Sequence, residues 1–465
     1  MSIEEAVLLA LRQNRTIKSG FLDRVIQKYN LRVAEDKFFP DLDLTGSAGR
    51  TDSTITDTDI TNSVLDSMAG KAVVTEKLPT GGVLTFSWEE NLEKGVVQGT
   101  DNEKTGTAGG EITFTQPLLK GAGIDVNMAS IKTARLTEKQ NILVLKNSVM
   151  DTISSVILAY RGFLKARQQT DVTMASLERA KKLLEKSRQK VSAGHMASVE
   201  IVQVEADIAS REFEHESAIN DMDNARLNLL KLLAMDKHIN IEPVPEKKIS
   251  PLKPDLQVCI NAALSDNPEY NRLKIDVQKA EINLMLAKNN RLWDVSLNSS
   301  YSFSQSDDRL FGKNSDDKTW NVALSLNIPL YGDLTRKQTV LEAETSLKKA
   351  ELQLKESGNN IEIEIKDLVQ KVKSAWKLYE LAGRSLRLTE QKLEIEQEKM
   401  NAGLSSNFQI VTFQNDLFEA QNNEISAAIN YRNALTELDK AIGTTLDTWQ
   451  INLDENAFQD NANFP

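Results

Sequence analysis

The chain has 465 residues, with 67 acidic against 56 basic side chains, a formal charge of −11, three histidines and one cysteine. That balance speaks against a nucleic-acid partner, which needs a basic face, and Cys259 alone excludes a disulfide within the chain. Mean hydropathy is −0.37, and no run of about 18 wholly apolar residues occurs, so no transmembrane helix is expected.

The first predicted helix covers 3–38. Ser2-Ile3-Glu4-Glu5 opens it as a capping box, the Ser and Glu side chains each satisfying a free amide of the first turn. No charged or apolar leader precedes it; the expectation is that a signal peptide is absent from this chain, removed or lost by truncation. Strands follow within 41–116. Leu42 and Leu44 alternate with Asp43 and Thr45, Leu84, Phe86 and Trp88 with Thr85 and Ser87, and Ile112 and Phe114 with Thr113 and Thr115. Between them Thr51–Ser67 is Thr/Asp-rich and reads as a loop. Residues 71–92, broken at Leu78-Pro79-Thr80-Gly81-Gly82, read as an additional hairpin that either adds two strands or forms a cap.

No proline occurs between Pro117 and Pro243 or between Pro329 and Pro465, so long uninterrupted helices are permitted there. The first is expected over 124–193, roughly 100 Å at 1.5 Å per residue. Gly194 is placed as its left-handed C-cap, and Ser198 as the N-cap of a helix over 199–234. A linker, 236–254, leads to a second series: helix 255–291, strands 295–303 and 319–328, long helix 334–402 ending at Gly403, helix 407–442, and a tail, 444–465. Asn407 is one candidate N-cap of that last helix; Ser406, with Gln409 completing a capping box, is the other. The polar stretch Gln305–Asp317 reads as the loop between the two strands.

The two series are copies of one unit. Ala6–Asn14 matches Val258–Pro268, Asp41–Thr45 matches Asp294–Asn298, and Val191–Gly194 matches Met400–Gly403. An internal repeat redefines what one domain means: here 1–235 and 255–443 each read helix, strands, very long helix, turn, helix. The seam of the second long helix has a seven-residue period, Leu347, Leu354, Ile361, Leu368, Ala375, with Ile365, Val372, Tyr379, Leu386, Leu393 and Met400 beside it. Such a period implies left-handed supercoiling against neighbouring helices. Cys259 falls in an apolar stripe and reads as a small buried hydrophobe.

Val295, Leu297, Tyr301 and Phe303 alternate with Ser, Asn and Ser, and Trp320, Val322, Leu324, Leu326 and Ile328 alternate with Thr, Asn, Ala and Ser. Strands of this length suit a tilted crossing of an outer membrane; a soluble sheet with one wet face gives the same pattern. The helical context favours the barrel, with too few strands in one copy to close it. No catalytic constellation, nucleotide loop or metal-ligand spacing accompanies His195, His215 and His238, so neither an enzyme nor a cofactor is expected.

In order and in duplicate, these segments make the chain resemble the TolC-type outer membrane efflux proteins (outer membrane factors). The residues that carry it are Asn14 and Asn267-Pro268, Phe39-Pro40-Asp41-Leu42, Thr115–Gly121, Ala193-Gly194-His195-Met196, Ala402–Ser406, and Tyr431–Leu435 through Ala441-Ile442-Gly443. The resemblance implies a mostly α fold with a membrane β part. A homotrimer would build an outer-membrane β-barrel in outer-membrane lipid, continuing into a periplasmic α-helical barrel. It implies efflux or type I secretion, with docking to a periplasmic adaptor (membrane fusion) protein of an inner-membrane RND or ABC pump. The adaptor contact would centre on Gly194 and Gly403, with His195, Met196, Leu404 and Ser405 beside them. There are departures. Leu292-Trp293 stands where Phe-Pro is expected, and Gln409 and Thr412 hold the entrance positions where the family carries aspartates, leaving Glu200 as the acidic residue past the first tip. A ring of Glu200 could select cations; a solvated first-turn glutamate is the plainer reading. The rival function is a structural coiled-coil tether without transport activity, which leaves the paired strand blocks without a purpose.

Overall fold

A computed structural model describes residues 1–56, 60–97, 103–246, 249–308, 313–331 and 334–451. The first repeat supplies α1 (Ile3–Gln13), α2 (Arg15–Glu35), β1 (Asp41–Thr56), β2 (Ile60–Lys77), β3 (Val83–Val97), β4 (Glu103–Pro117), α3 (Ile124–Asn127), α4 (Ala129–Ser192) and α5 (Val199–Leu232). The second supplies α6 (Leu256–Asp266), α7 (Pro268–Asn290), β5 (Asp294–Asp308), β6 (Lys313–Asn327), α8 (Leu334–Asn401) and α9 (Asn407–Ile442), and α10 (Thr445–Thr448) lies in the tail. The repeated helix–strands–long helix–helix order is therefore present. The chain divides into two units: residues 1–25, 141–273 and 354–465 form one, and 26–140 with 274–353 the other.

In the first unit the helices pack through three apolar clusters. One joins α1, α4 and α5 through Val7, Met150, Ile153, Tyr160 and Leu229 and reaches Leu446 of α10. A window of α4 is long and apolar enough by composition to cross a membrane; Val149, Met150, Ile153, Val156, Ile157, Tyr160 and Phe163 of α4 are buried in this core. A second cluster joins α6, α8 and α9 through Cys259, Ile365, Val372, Tyr431 and Leu438. Ile361, Ile365, Val372, Leu393 and Met400 are buried along α8, the seam that the seven-residue period marks.

The helix expected over 3–38 is interrupted, because Asn14 is extended (φ −58°, ψ 129°). Its side-chain oxygen accepts from the Thr16 and Ile17 amides (2.8 and 3.3 Å), and its Nδ2 donates to the Leu232 carbonyl at 2.7 Å. A short 3-10 turn, Asp36–Phe38, then closes the segment. Asn267 divides 255–291 likewise: Oδ1 accepts from the Tyr270 amide at 3.0 Å and Nδ2 donates to the Ala441 carbonyl at 3.1 Å. Two buried tyrosines hold the linker. The Tyr160 hydroxyl lies 2.8 Å from the Val244 carbonyl and accepts from its amide, while Tyr431 does the same between the Ser250 carbonyl and the Leu252 amide. Beside them Glu246 accepts from Arg161 at 2.9 Å and pairs with Arg432 at 3.0 Å. Burial lowers the Arg161 pKa, opposed by Glu246.

The second unit is built on one antiparallel sheet in the order β1-β2-β3-β4-β5-β6. The additional hairpin is thus two full strands of the sheet. Its turn needs Gly81 at φ +97°, and a Cβ there would strike the Gly121 carbonyl. Thr80 ties the turn to the end of β4 through Gln116 at 3.0 Å and to the Gly123 amide. The strands outrun expectation. Residues 51–56 and 60–65, expected as loop, pair with each other, and so do 305–308 and 313–316. Cross-strand partners and β-branched Thr51 and Thr54 outweigh the aspartates there. The tips at 57–59 and 309–312 lie outside the described residues. The strands expected over 295–303 and 319–328 become 294–308 and 313–327, and the long helices stop at Ser192 and Asn401.

Candidate functional site

Two regions carry chemistry. The first is the sheet. Residues directly opposed in an antiparallel ladder share a face, so one ladder line can be followed through all six strands. Trp320, Tyr301, Ile112, Phe86, Val74 and Leu42 stand on one such line. The next line on the same face holds Lys318, Phe303, Gly110, Trp88, Ala72 and Leu44. The Trp88 and Phe303 rings meet across it, centroids 5.9 Å apart and tilted by 54°, filling the space over Gly110, where a Cβ would meet the Phe303 ring at 2.8 Å. Trp320, Val322, Leu324, Leu326, Leu42 and Leu44 are all exposed. The opposite face reads Asn321, Ser300, Thr113, Thr85 and Thr75 on one line and Thr319, Ser302, Glu111, Ser87 and Val73 on the next. Lys71 and Glu89 pair on it at 3.3 Å. An exposed apolar band backed by hydroxyls is what a strand set needs to face lipid on one side and water on the other.

The second region is the pair of helical turns. α4 ends at Gly194 (φ +72°) and α8 at Gly403 (φ +80°), with open space where a Cβ would stand. In both, the next amide bonds back five residues: His195 to the Lys190 carbonyl at 2.9 Å, Leu404 to the Lys399 carbonyl at 2.8 Å. These are the left-handed C-caps expected of glycine. Leu183, Val204, Met400 and Ile410 bury themselves between the two hairpins, with Met196 against them. The Lys190 ammonium donates to the Met400 carbonyl at 2.8 Å, and Ser187 donates to Asn407 Oδ1 at 3.2 Å.

The turns differ past the glycine. Ser406 caps α9 with Gln409 in a capping box, the second of the two alternatives; Asn407 is buried in the hairpin interface, its Nδ2 3.3 Å from Met196 Sδ. Ser198 does not cap α5. Its backbone is already helical (φ −61°, ψ −26°) and its hydroxyl bonds no first-turn amide. The turn closes through Glu200 N–H to the Ala197 carbonyl and Ile201 N–H to the Ser198 carbonyl.

Of the expected docking residues, His195 and Leu404 are exposed, while Met196 and Ser405 are half-buried. Ser405 donates to Glu396 at 2.7 Å and lies 3.0 Å from Gln409 Oε1. Of the expected entrance residues, Gln409 is spent on the capping box and Thr412 donates to the Phe408 carbonyl at 2.8 Å. Glu200 keeps Oε2 buried with no partner.

Sequence reasoning missed Glu396. It is 5% exposed, and its carboxylate sits below the usual range, held there by the Ser405 hydroxyl and then by Lys399. The signal was available: the row Leu347 to Ala375, carried on by sevens, reaches 396. It also missed the cluster of Arg211, paired with Asp207 at 3.4 Å and Glu214 at 3.2 Å and stacked on Phe418. Burial raises the Asp207 pKa against the pull of Arg211. No group of metal-ligating side chains occurs among the described residues.

Comparison with known proteins agrees with this geometry. A family model described as "Outer membrane efflux protein" matches residues 7–235 and 259–444. No curated protein matches the chain. Among solved structures, the CmeC outer membrane channel of Campylobacter jejuni is similar at 14% identity and a TM-score of 0.70, covering 100% of this chain and 90% of that one. The outer membrane protein VceC of Vibrio cholerae gives 14% and 0.70, covering 95% and 96%. The MtrE outer membrane channel of Neisseria gonorrhoeae gives 14% and 0.65, covering 96% and 89%. At such identities these likenesses speak for the fold.

Proposed function

The chain belongs to the outer membrane efflux protein family, and from that premise we propose that three copies together form an outer-membrane channel-tunnel for efflux or type I secretion. The observation that carries this reading is the two-faced sheet. Six strands align most of their large apolar side chains on one face and mostly hydroxyls and amides on the other. In lipid every backbone group must be paired, so such a sheet has to close; in a tether the exposed apolar face has no use.

The helical turns at Gly194 and Gly403 are the docking points for a periplasmic adaptor of an RND or ABC pump. His195 and Leu404 are the exposed contacts, and Met196 and Ser405 brace them. Glu200 forms the cation-selective ring at the entrance, with Gln409 and Thr412 as its neutral neighbours. The test is extraction of the intact protein from outer membrane. A species three chains in mass that separates only on heating is expected; a water-soluble monomer would refute the reading. Crosslinking from Gly194→Cys and Gly403→Cys should capture an adaptor with a periplasmic helical hairpin, and capture of nothing but other copies would remove the docking assignment. Glu200→Gln should lower cation selectivity in planar bilayers; an unchanged selectivity would free Glu200 of that role.

A further inference from the structure

The outer strands of the sheet, β1 and β6, are paired on one side only among the described residues. The six strands alternate in direction, so β1 and β6 run antiparallel to each other, and β6 of one copy can add to β1 of another as one more rung of the same kind. The apolar face reaches both edges: Trp320, Val322, Leu324 and Leu326 on β6, Leu42, Leu44 and Ala48 on β1. All are even-numbered, so only registers that oppose even residues with even keep the apolar face continuous.

Two further constraints select among these registers. The ladder line through Trp320 meets Leu42 at the far edge of its own copy. The residue of the next copy that Trp320 meets sets the stagger per copy, and hence the tilt of the strands. Setting it to Arg50 gives a stagger of eight residues over six strands. At about 3.3 Å per residue and about 4.8 Å between strands, that is a tilt of about 42°, inside the range barrels use. A shift of two residues either way gives about 35° or about 49°. The shift toward 35° also opposes Arg50 to Lys318 and Asp52 to Asp316, like charges on both rungs. The Arg50–Trp320 register instead opposes Asp52 to Lys318, lays Arg50 on the Trp320 ring, and sets Gly46 and Ala48 beside Leu324 and Val322.

We propose that β6 of each copy pairs with β1 of the next with Leu44 opposite Leu326 and Asp52 opposite Lys318, closing a barrel to which every copy gives six strands. The inference rests on the trimeric reading above: three copies then give eighteen strands in all. Such a barrel is about 37 Å across between backbones, wide enough to leave an aqueous lumen instead of one filled by its own side chains. The lumen admits cargo as thick as a helical polypeptide, about 10–12 Å, as well as small solutes.

The test uses the full-length protein in outer membrane. Leu44→Cys with Leu326→Cys, and Thr45→Cys with Ser325→Cys, are consecutive opposed pairs, one of them of the closely spaced type. Oxidation should link chains into dimers and trimers through at least one pair. Linking through Leu44→Cys with Leu324→Cys in their place would overturn the register. Linking of Leu44→Cys to Ile112→Cys within one chain would overturn the strand count, since β2 and β3 would then lie outside the barrel. Asp52→Lys or Lys318→Asp alone should lower the temperature at which trimers dissociate, and the double exchange should restore it; failure of that restoration also counts against the pairing. Wild-type protein that shows no trimer before oxidation would fail the trimeric reading instead, a result separate from these.

Discussion

The two helical turns share a backbone and differ in how their far sides are fastened. Both stop a very long helix at a glycine of positive φ and send the next amide back five residues. Beyond the glycine, α9 starts on a complete capping box, and Glu396, Ser405 and Lys399 form a polar knot beside it. α5 starts on a serine that caps nothing, with a glutamate oxygen buried and without a partner. The second turn is fastened by a side-chain cap at the start of its returning helix; the first has no such cap and is held by its backbone bonds and by Met196 packed against the buried cluster.

That contrast can be broken at the residue common to both. Met400→Ala removes a buried side chain between the hairpins and should cost about 2–5 kcal/mol; faster hydrogen exchange at both turns is expected, and a change at only one would deny that they are coupled. Gly194→Ala and Gly403→Ala meet no neighbouring atoms, so each should cost only the left-handed backbone, about 1–2 kcal/mol, visible as fraying of its own turn. Ser406→Ala should then cost about 1 kcal/mol, whereas Ser198→Ala should stay within about 0.5 kcal/mol; equal effects in thermal melts would erase the asymmetry. The smallest effect is one of pH. The Glu396 pKa is depressed in the folded turn, so its contribution is complete above the ordinary glutamate range and is lost as pH falls through the depressed value. Ser405→Ala removes the main cause, and loosening of the second turn, followed by a fluorophore on Leu404→Cys, should begin at higher pH.

Much of the fold was legible because its signals are periodic. The seven-residue row through Leu347, Leu354 and Ile361 marks the seam of α8, and the alternation of Val295, Leu297 and Tyr301 marks the apolar face of β5. Single side chains that override a period were not legible. Asn14 and Asn267 read as helix interior, since only the distant carbonyls they bond, of Leu232 and Ala441, explain why the chain extends there. Residues 51–67 looked like loop, because serine, threonine and aspartate in a long strand have strand character only when a partner is opposite. Ser198 and Ser406 look alike in sequence, and the difference lies in a backbone angle. Glu396 broke an apolar row without breaking its spacing, and rows are searched for hydrophobes.

The breaks at Asn14 and Asn267 also bear on why asparagine stands there. Aspartate caps a helix start equally well, but its carboxylate has no proton to give the carbonyl that ends another helix. The amide serves both, one atom accepting and the other donating, across 218 and 174 positions of chain. Each asparagine is thus a shared fastener. Its removal would fray two helix ends at once, and truncating either end would make the second loss smaller than the first, a thermodynamic bond between parts of the chain that are synthesised far apart in time.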